Sequence, residues 1–214
     1  MDGFWNKYLL IFTITRDIVL HPFEFGSTIR DTMEETKRAA LYVGEGVVLF
    51  YAVFQLLIVG KETDLPLSNL PFAGEIIAAG MIASAMLTGL ITHPVASFFS
   101  SRSNSVHGSL ASFLYWTGFC MFVIPPVFTV LIMGSQWLFG LLELAEDWKL
   151  LIVMAVMVPI VFVYYIGTIS SWIGTVYDIE PFMGGIAIAC SYALFMGAAT
   201  ALTAVISFAT GYTF

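Results

Sequence analysis

The chain has 214 residues, of which 59% are hydrophobic and 11% charged, with a mean hydropathy of +0.90 and a formal net charge of −7. Soluble domains are about 45–50% apolar and about 25% charged, so this composition excludes a soluble enzyme fold. Eight Lys and Arg leave no basic stripe for nucleic acid, and the apolar excess excludes intrinsic disorder.

The composition predicts a bilayer as the solvent. One transmembrane helix needs about 20 apolar residues to cross about 30 Å of hydrocarbon. The expected fold is all-α, a polytopic membrane protein of five transmembrane helices preceded by an interfacial amphipathic helix. Residues 1–38 form the cytoplasmic and interfacial N-terminal segment of this scheme, and 39–214 its membrane domain.

From Phe4 to Leu20 the pattern predicts a helix lying on the membrane surface. Trp5, Tyr8, Leu9, Phe12 and Val19 fall near one face, so Trp5, Tyr8 and Phe12 are the expected membrane-surface contacts. The apolar run from Tyr8 to Ile14 meets Arg16 and Asp17 with no small-residue cleavage site, so no cleaved leader is expected. His21-Pro22 ends the helix, because the residue before proline disfavours helical geometry. A second polar helix is expected from Ile29 to Arg38, opened by the capping-box spacing of Thr28-Ile29-Arg30-Asp31.

Five apolar stretches follow, approximately 39–59, 76–98, 110–133, 150–172 and 184–208. Short connections join them at Gly60 to Pro71, Ser100 to Ser109, Leu142 to Lys149 and Gly174 to Pro181. Lys7, Arg16, Arg30, Lys37, Arg38 and Arg102 fall on one side, against Lys61 and Lys149 on the other. The positive-inside bias therefore predicts a cytoplasmic N-terminus and a C-terminus outside. Trp137, Trp148 and Trp172 sit near span ends, and Cys120 and Cys190 read as buried free thiols.

In lipid, close backbone approach drives helix association. The fifth span carries Gly185, Ala189, Ala193, Gly197 and Ala201 at four-residue intervals, and the second carries Gly80, Ser84, Thr88 and Thr92. These ridges are the expected helix-packing or partner interfaces, with interior packing the leading expectation.

Candidates for a polar cavity are Glu45, His93, Pro125, Pro126, Tyr164 and Tyr165. Glu45 lies inside the first span between two glycines, where an ionisable group is costly and faces a cavity or a partner. Pro125-Pro126 interrupts the third span, and an unwound segment there would free carbonyls at membrane depth. His21, His93 and His107 fall on the cytoplasmic side without HxxE, HxH or HExxH spacing, so neither a metal nor another cofactor is expected.

Four features in order resemble the Yip family of small polytopic membrane proteins named for interaction with Rab-type GTPases. They are Asp17-Ile18-Val19-Leu20-His21-Pro22-Phe23-Glu24-Phe25 before the first span, Val106-His107-Gly108-Ser109 leading into the third, and Ile124-Pro125-Pro126 within it. The fourth is a span ending in Tyr164, Tyr165, Gly167 and Trp172, followed by a small-residue last span. The short N-terminal segment is similar to prokaryotic members, which implies a cytoplasmic (inner) membrane and no Rab partner.

The expected function is a non-catalytic membrane scaffold or accessory subunit, whose partners are the bilayer and a protein or a second copy. The alternative is a small transporter or channel for lipid or a small solute. No nucleophile–base pair marks an intramembrane enzyme.

Overall fold

The computed structural model describes the backbone of residues 12–54, 73–141 and 146–210, and side chains among these except 52–54, 73, 124–141, most of 146–162 and a few positions after 198. Every regular element among the described residues is helical. Residues 12–20 form α1, and a 3₁₀ turn follows at Phe25–Thr28. The long helices are α2 (Met33–Phe54), α3 (Ala73–Phe99), α4 (Val106–Leu141), α5 (Glu146–Tyr177) and α6 (Pro181–Thr210). Among the described residues, three contain segments long and apolar enough to cross a membrane: Gly74–Phe99, Val106–Val123 and Pro181–Ala198.

Helix α4 is the centre. Its apolar segment is 72% buried, against 28% for that of α3 and 22% for that of α6, and α2, α3 and α5 all pack on it. The closest approach is between α2 and α4. A Cβ on Gly46 would lie 2.9 Å from the Gly118 carbonyl oxygen, and one on Gly118 would lie 2.6 Å from Tyr42 Cδ1 and 3.2 Å from Val43 Cα. Two glycines at one crossing let the backbones meet, which is how helices gain contact in hydrocarbon.

The small-residue ridge of α6 does not perform that role inside the bundle. Gly184, Ala187, Ile188 and Ser191 form the buried face, whereas Ala189, Ala193, Gly197 and Ala201 are exposed and Gly185 is half-buried. A Cβ on Gly197 would meet nothing within 4 Å. The inward face has small residues of its own, and α6 meets α5 through Gly184, which lies against the Ser170 backbone. Cys190 is exposed on α6, not buried as expected, and Cys120 is half-buried; both are free.

Helix α1 packs one face on the bundle and leaves the other exposed. Ile14 and Ile18, one turn apart, are buried in the core, while Phe12, Val19 and Leu20 are exposed. Burying two isoleucines contributes about 1.5–3 kcal/mol each. Thr15 Oγ1 lies 2.8 Å from the Tyr42 hydroxyl, the Tyr164 hydroxyl donates to the Ile18 carbonyl at 3.4 Å, and the Phe12 ring stands edge-on to Phe122. α1 therefore packs along α2, α4 and α5. Trp5 and Tyr8 lie outside the described residues.

Other boundaries differ from expectation. α2 begins at Met33, with Thr32 Oγ1 accepting the Glu35 amide at 3.3 Å; Thr28 instead closes the preceding 3₁₀ turn onto the Phe25 carbonyl. The backbone of α4 is helical through Pro125-Pro126, so no unwound segment exists there, and α3 and α5 likewise contain Pro94 and Pro159. The expected loop from Gly174 is helical to Tyr177. α5 ends where Ile179 N–H bonds the Gly174 carbonyl at 2.9 Å and Asp178 N–H reaches that of Thr175, with Asp178 in the left-handed region at φ 56°. This is the Schellman ending, with aspartate where glycine is usual. The connection from Gly60 to Pro71 and residues 142–145 lie outside the described residues.

Candidate functional site

Two regions concentrate polar chemistry. The first is the end of the bundle where residues 21–32, 100–105 and 178–180 meet. Helix α4 starts there with amide donors that have no partner within the helix. Asp31, from the loop before α2, supplies them. Its carboxylate accepts the Ser105 amide at 2.5 Å, the Ser105 hydroxyl at 2.6 Å and the Gly108 amide at 2.7 Å. A negative charge at a helix N-terminus is also favoured by the helix dipole. Gly108 is required by this approach, because a Cβ would lie 2.3 Å from Val176 Cγ1 and 3.2 Å from Asp31 Oδ1.

In the first turn of α2, Glu35 is 8% exposed and accepts a hydrogen bond from the fully buried Tyr115 hydroxyl at 2.5 Å, with Arg38 at 3.6 Å. Thr36 Oγ1 donates to the His107 carbonyl at 3.2 Å. Across the bundle, His93 Nδ1 lies 2.8 Å from the Tyr177 hydroxyl, and Ser100 Oγ donates to the Tyr177 carbonyl at 2.6 Å. Tyr177 lies beyond the apolar part of α5. Burial pushes its phenol up to about 12, with the Ser109 hydrogen bond pulling the other way, so it remains a neutral hydroxyl near pH 7. Trp172 Nε1 donates to the Pro22 carbonyl at 2.5 Å and Ser171 Oγ to that of Phe23 at 2.9 Å, which ties the chain after α1 to α5.

The second region is a cavity of about 440 Å³ between α3, α4, α5 and α6. Ile77, Gly80, Met81, Ser84, Ala85 and Thr88 of α3 form one wall; Phe113, Trp116, Thr117 and Cys120 of α4 form the floor; Tyr165 and Tyr192 complete it. The Tyr165 and Tyr192 hydroxyls are hydrogen-bonded to each other. The ridge Gly80, Ser84 and Thr88, expected to pack against a helix, faces this space. Gly80 and Ser84 are exposed, and a Cβ on Gly80 would meet nothing within 4 Å.

The residues proposed from sequence for one polar cavity do not converge. Of those whose side chains are described, Tyr165 lines the cavity. Tyr164 turns to α1, His93 joins the polar end, and the half-buried Glu45 stands on α2 outside the cavity wall. The side chains of Pro125 and Pro126 lie outside the described residues. Among the described residues, no three of His, Cys, Asp and Glu come together as a metal site. The sequence reading missed Asp31, Glu35, Tyr177 and the Gly46–Gly118 crossing. Glu35 carried a signal, since Thr32-x-x-Glu35 has capping-box spacing. The partners of Asp31 are 74 and 77 residues away and leave no local pattern.

The arrangement can clasp helices at one end and hold an uncharged molecule in the cavity. The chain matches no protein-family model, no curated protein and no solved structure. Fold and site together define the class at one level: among the described residues the protein is all-helical, with three helices long and apolar enough to cross a membrane.

Proposed function

We propose that this chain is a non-catalytic integral membrane scaffold or accessory subunit that binds a protein partner, or a second copy of itself, within the bilayer. The observation that carries this is the outward face of α6, where Ala189, Ala193, Gly197 and Ala201 are exposed in line beside the exposed Leu194 and Met196. A line of small side chains lets another helix approach closely in hydrocarbon.

The membrane arrangement we infer has five spans, α2 to α6. The shortest of them has 22 residues, about 33 Å at about 1.5 Å per residue. Arg30, Lys37, Arg38 and Arg102 lie in the loops and first turns of the clasped end, which supports placing that end and the N-terminus inside. The resemblance to short prokaryotic-like Yip-domain proteins fits a cytoplasmic membrane and belongs to the same proposal.

The test is purification from the native membrane in mild detergent, with mass and composition read for wild type and Gly197→Leu. Loss of a stoichiometric partner, or of a dimer, in the variant is expected. Identical composition in both proteins rejects the reading.

A second reading, a small transporter or channel for lipid or small solute, is favoured by the cavity. It predicts flux in liposomes that Gly80→Leu blocks, and reconstituted protein without flux rejects it.

A further inference from the structure

We propose that the cavity between α3, α4, α5 and α6 is a binding site for a neutral, lipid-soluble molecule that presents a flat ring bearing hydroxyl or carbonyl groups. The inference is independent of the assembly reading and names a ligand class for the second one. The volume of about 440 Å³ falls within the roughly 300–1,000 Å³ of small-molecule pockets.

Depth comes first. Thr88, the wall residue of α3 nearest the clasped end, is three turns from Phe99, or about 16 Å at about 1.5 Å per residue. That is about half of the roughly 30 Å hydrocarbon core. The cavity runs from there to Ile77, near the other end of α3, so its Thr88 end lies at mid-depth, where a small uncharged head resides and a phospholipid headgroup does not.

Charge comes second. The lining contains no Asp, Glu, Lys, Arg or His, while Ser84, Thr88, Thr117, Tyr165 and Tyr192 supply hydroxyls. Burying a phosphate or ammonium among them, without a counter-ion, is strongly unfavourable; a carbonyl or hydroxyl finds both donors and acceptors. Thr92, one turn further along α3 on the same face as Thr88, is fully buried and its hydroxyl has no hydrogen-bond partner among the described residues. The cavity thus ends near an additional polar group.

Shape comes third. The Trp116 and Tyr165 rings stand 5.3 Å apart at 45°, and Phe113 and Tyr192 extend the aromatic wall. A flat ring gains offset and edge contacts from such a wall, which a flexible acyl chain does not. Gly80 and Ser84 leave the rim open on the exposed side of α3, so a molecule enters from the side of the bundle.

The probe is a short-tailed benzoquinone, titrated into the full chain in phosphatidylcholine nanodiscs while tryptophan fluorescence is read. Gly80→Leu places bulk in open space at the rim, and Ser84→Leu does the same from one turn away. Melting temperature is recorded for each. Saturable quenching is expected for wild type, weakened at least tenfold in whichever rim variant keeps the wild-type melting temperature, with Trp116→Phe losing part of the quench. Linear, unsaturated quenching would overturn the site. So would saturation that survives both rim variants. Competition by a lysophosphatidylglycerol as strong as that by the uncharged ring would overturn the ligand class. Partner composition of the Gly80→Leu protein, unchanged from wild type, keeps a failure here separate from a failure of the assembly reading.

Discussion

Gly118→Ala tests the central packing of the bundle. The added Cβ would fall 2.6 Å from Tyr42 Cδ1 and 3.2 Å from Val43 Cα. Tyr42 cannot swing aside freely: it is 2% exposed, and its hydroxyl is 2.8 Å from Thr15 on α1. Restoring ordinary contact therefore moves α2 away from α4 by up to about 1 Å, and overpacking of this kind costs about 1–3 kcal/mol. Replacing a helical glycine by alanine returns at most about 1 kcal/mol, so a net loss of about 1–2 kcal/mol is expected. Gly197→Ala is the matched control, because its Cβ meets nothing within 4 Å; it should be neutral or stabilising by up to about 1 kcal/mol. Equilibrium unfolding in detergent, followed by tryptophan fluorescence, measures both. If Gly118→Ala proves as stable as Gly197→Ala, the placement of the α2–α4 crossing is wrong.

Asp31→Ala removes the acceptor of three hydrogen bonds at the start of α4; a loss of about 2 kcal/mol is expected, with faster amide exchange at Ser105 and Gly108 and an intermediate effect for Asp31→Asn. Unchanged exchange there would remove Asp31 from the cap. Tyr115→Phe takes the hydroxyl from Glu35 and should cost about 1.5–3 kcal/mol, read by the same unfolding assay, and a neutral result would mean that Glu35 reaches water. Asp178→Gly relieves a left-handed residue at φ 56° while losing an exposed Arg102 contact at 3.2 Å. The first gain is about 1 kcal/mol and the second loss about 0–1 kcal/mol, so stability should hold or rise slightly. Arg102→Ala, measured beside it, separates the two contributions.

The long helices were legible because apolar runs of about 20 residues have few other uses. Their ends were less so. α5 runs to Tyr177, beyond the expected span end at residue 172, because the left-handed Asp178 that stops it, unlike glycine, carries no distinctive signal. The orientation of α6 was not legible at all. Two faces of that helix carry small residues, Gly184, Ala187 and Ser191 on one, Ala189, Ala193 and Gly197 on the other. Spacing alone does not tell which meets α5. The α2–α4 crossing used one glycine from each helix, Gly46 and Gly118, neither of which belongs to a long four-residue ridge. Polar residues gave their type but not their company: His93, Tyr164, Tyr165 and Glu45 share membrane depth in the sequence yet turn to different neighbours around the bundle.

The strap formed by α1 and the Pro22-Phe23 segment has a consequence for synthesis. Its partners on α5 are Trp172 and Ser171, 150 and 148 residues later in the chain. At translation speeds of about 5–20 residues per second, about 8–30 seconds pass between the emergence of Pro22 and that of Trp172. During that interval Ile18 and Phe25 have no α5 to cover them, although both end up buried in the finished bundle. Residues that leave the ribosome 150 positions ahead of their α5 partner are thus among the last to be satisfied, and a chain stalled before α5 leaves this amphipathic segment uncovered.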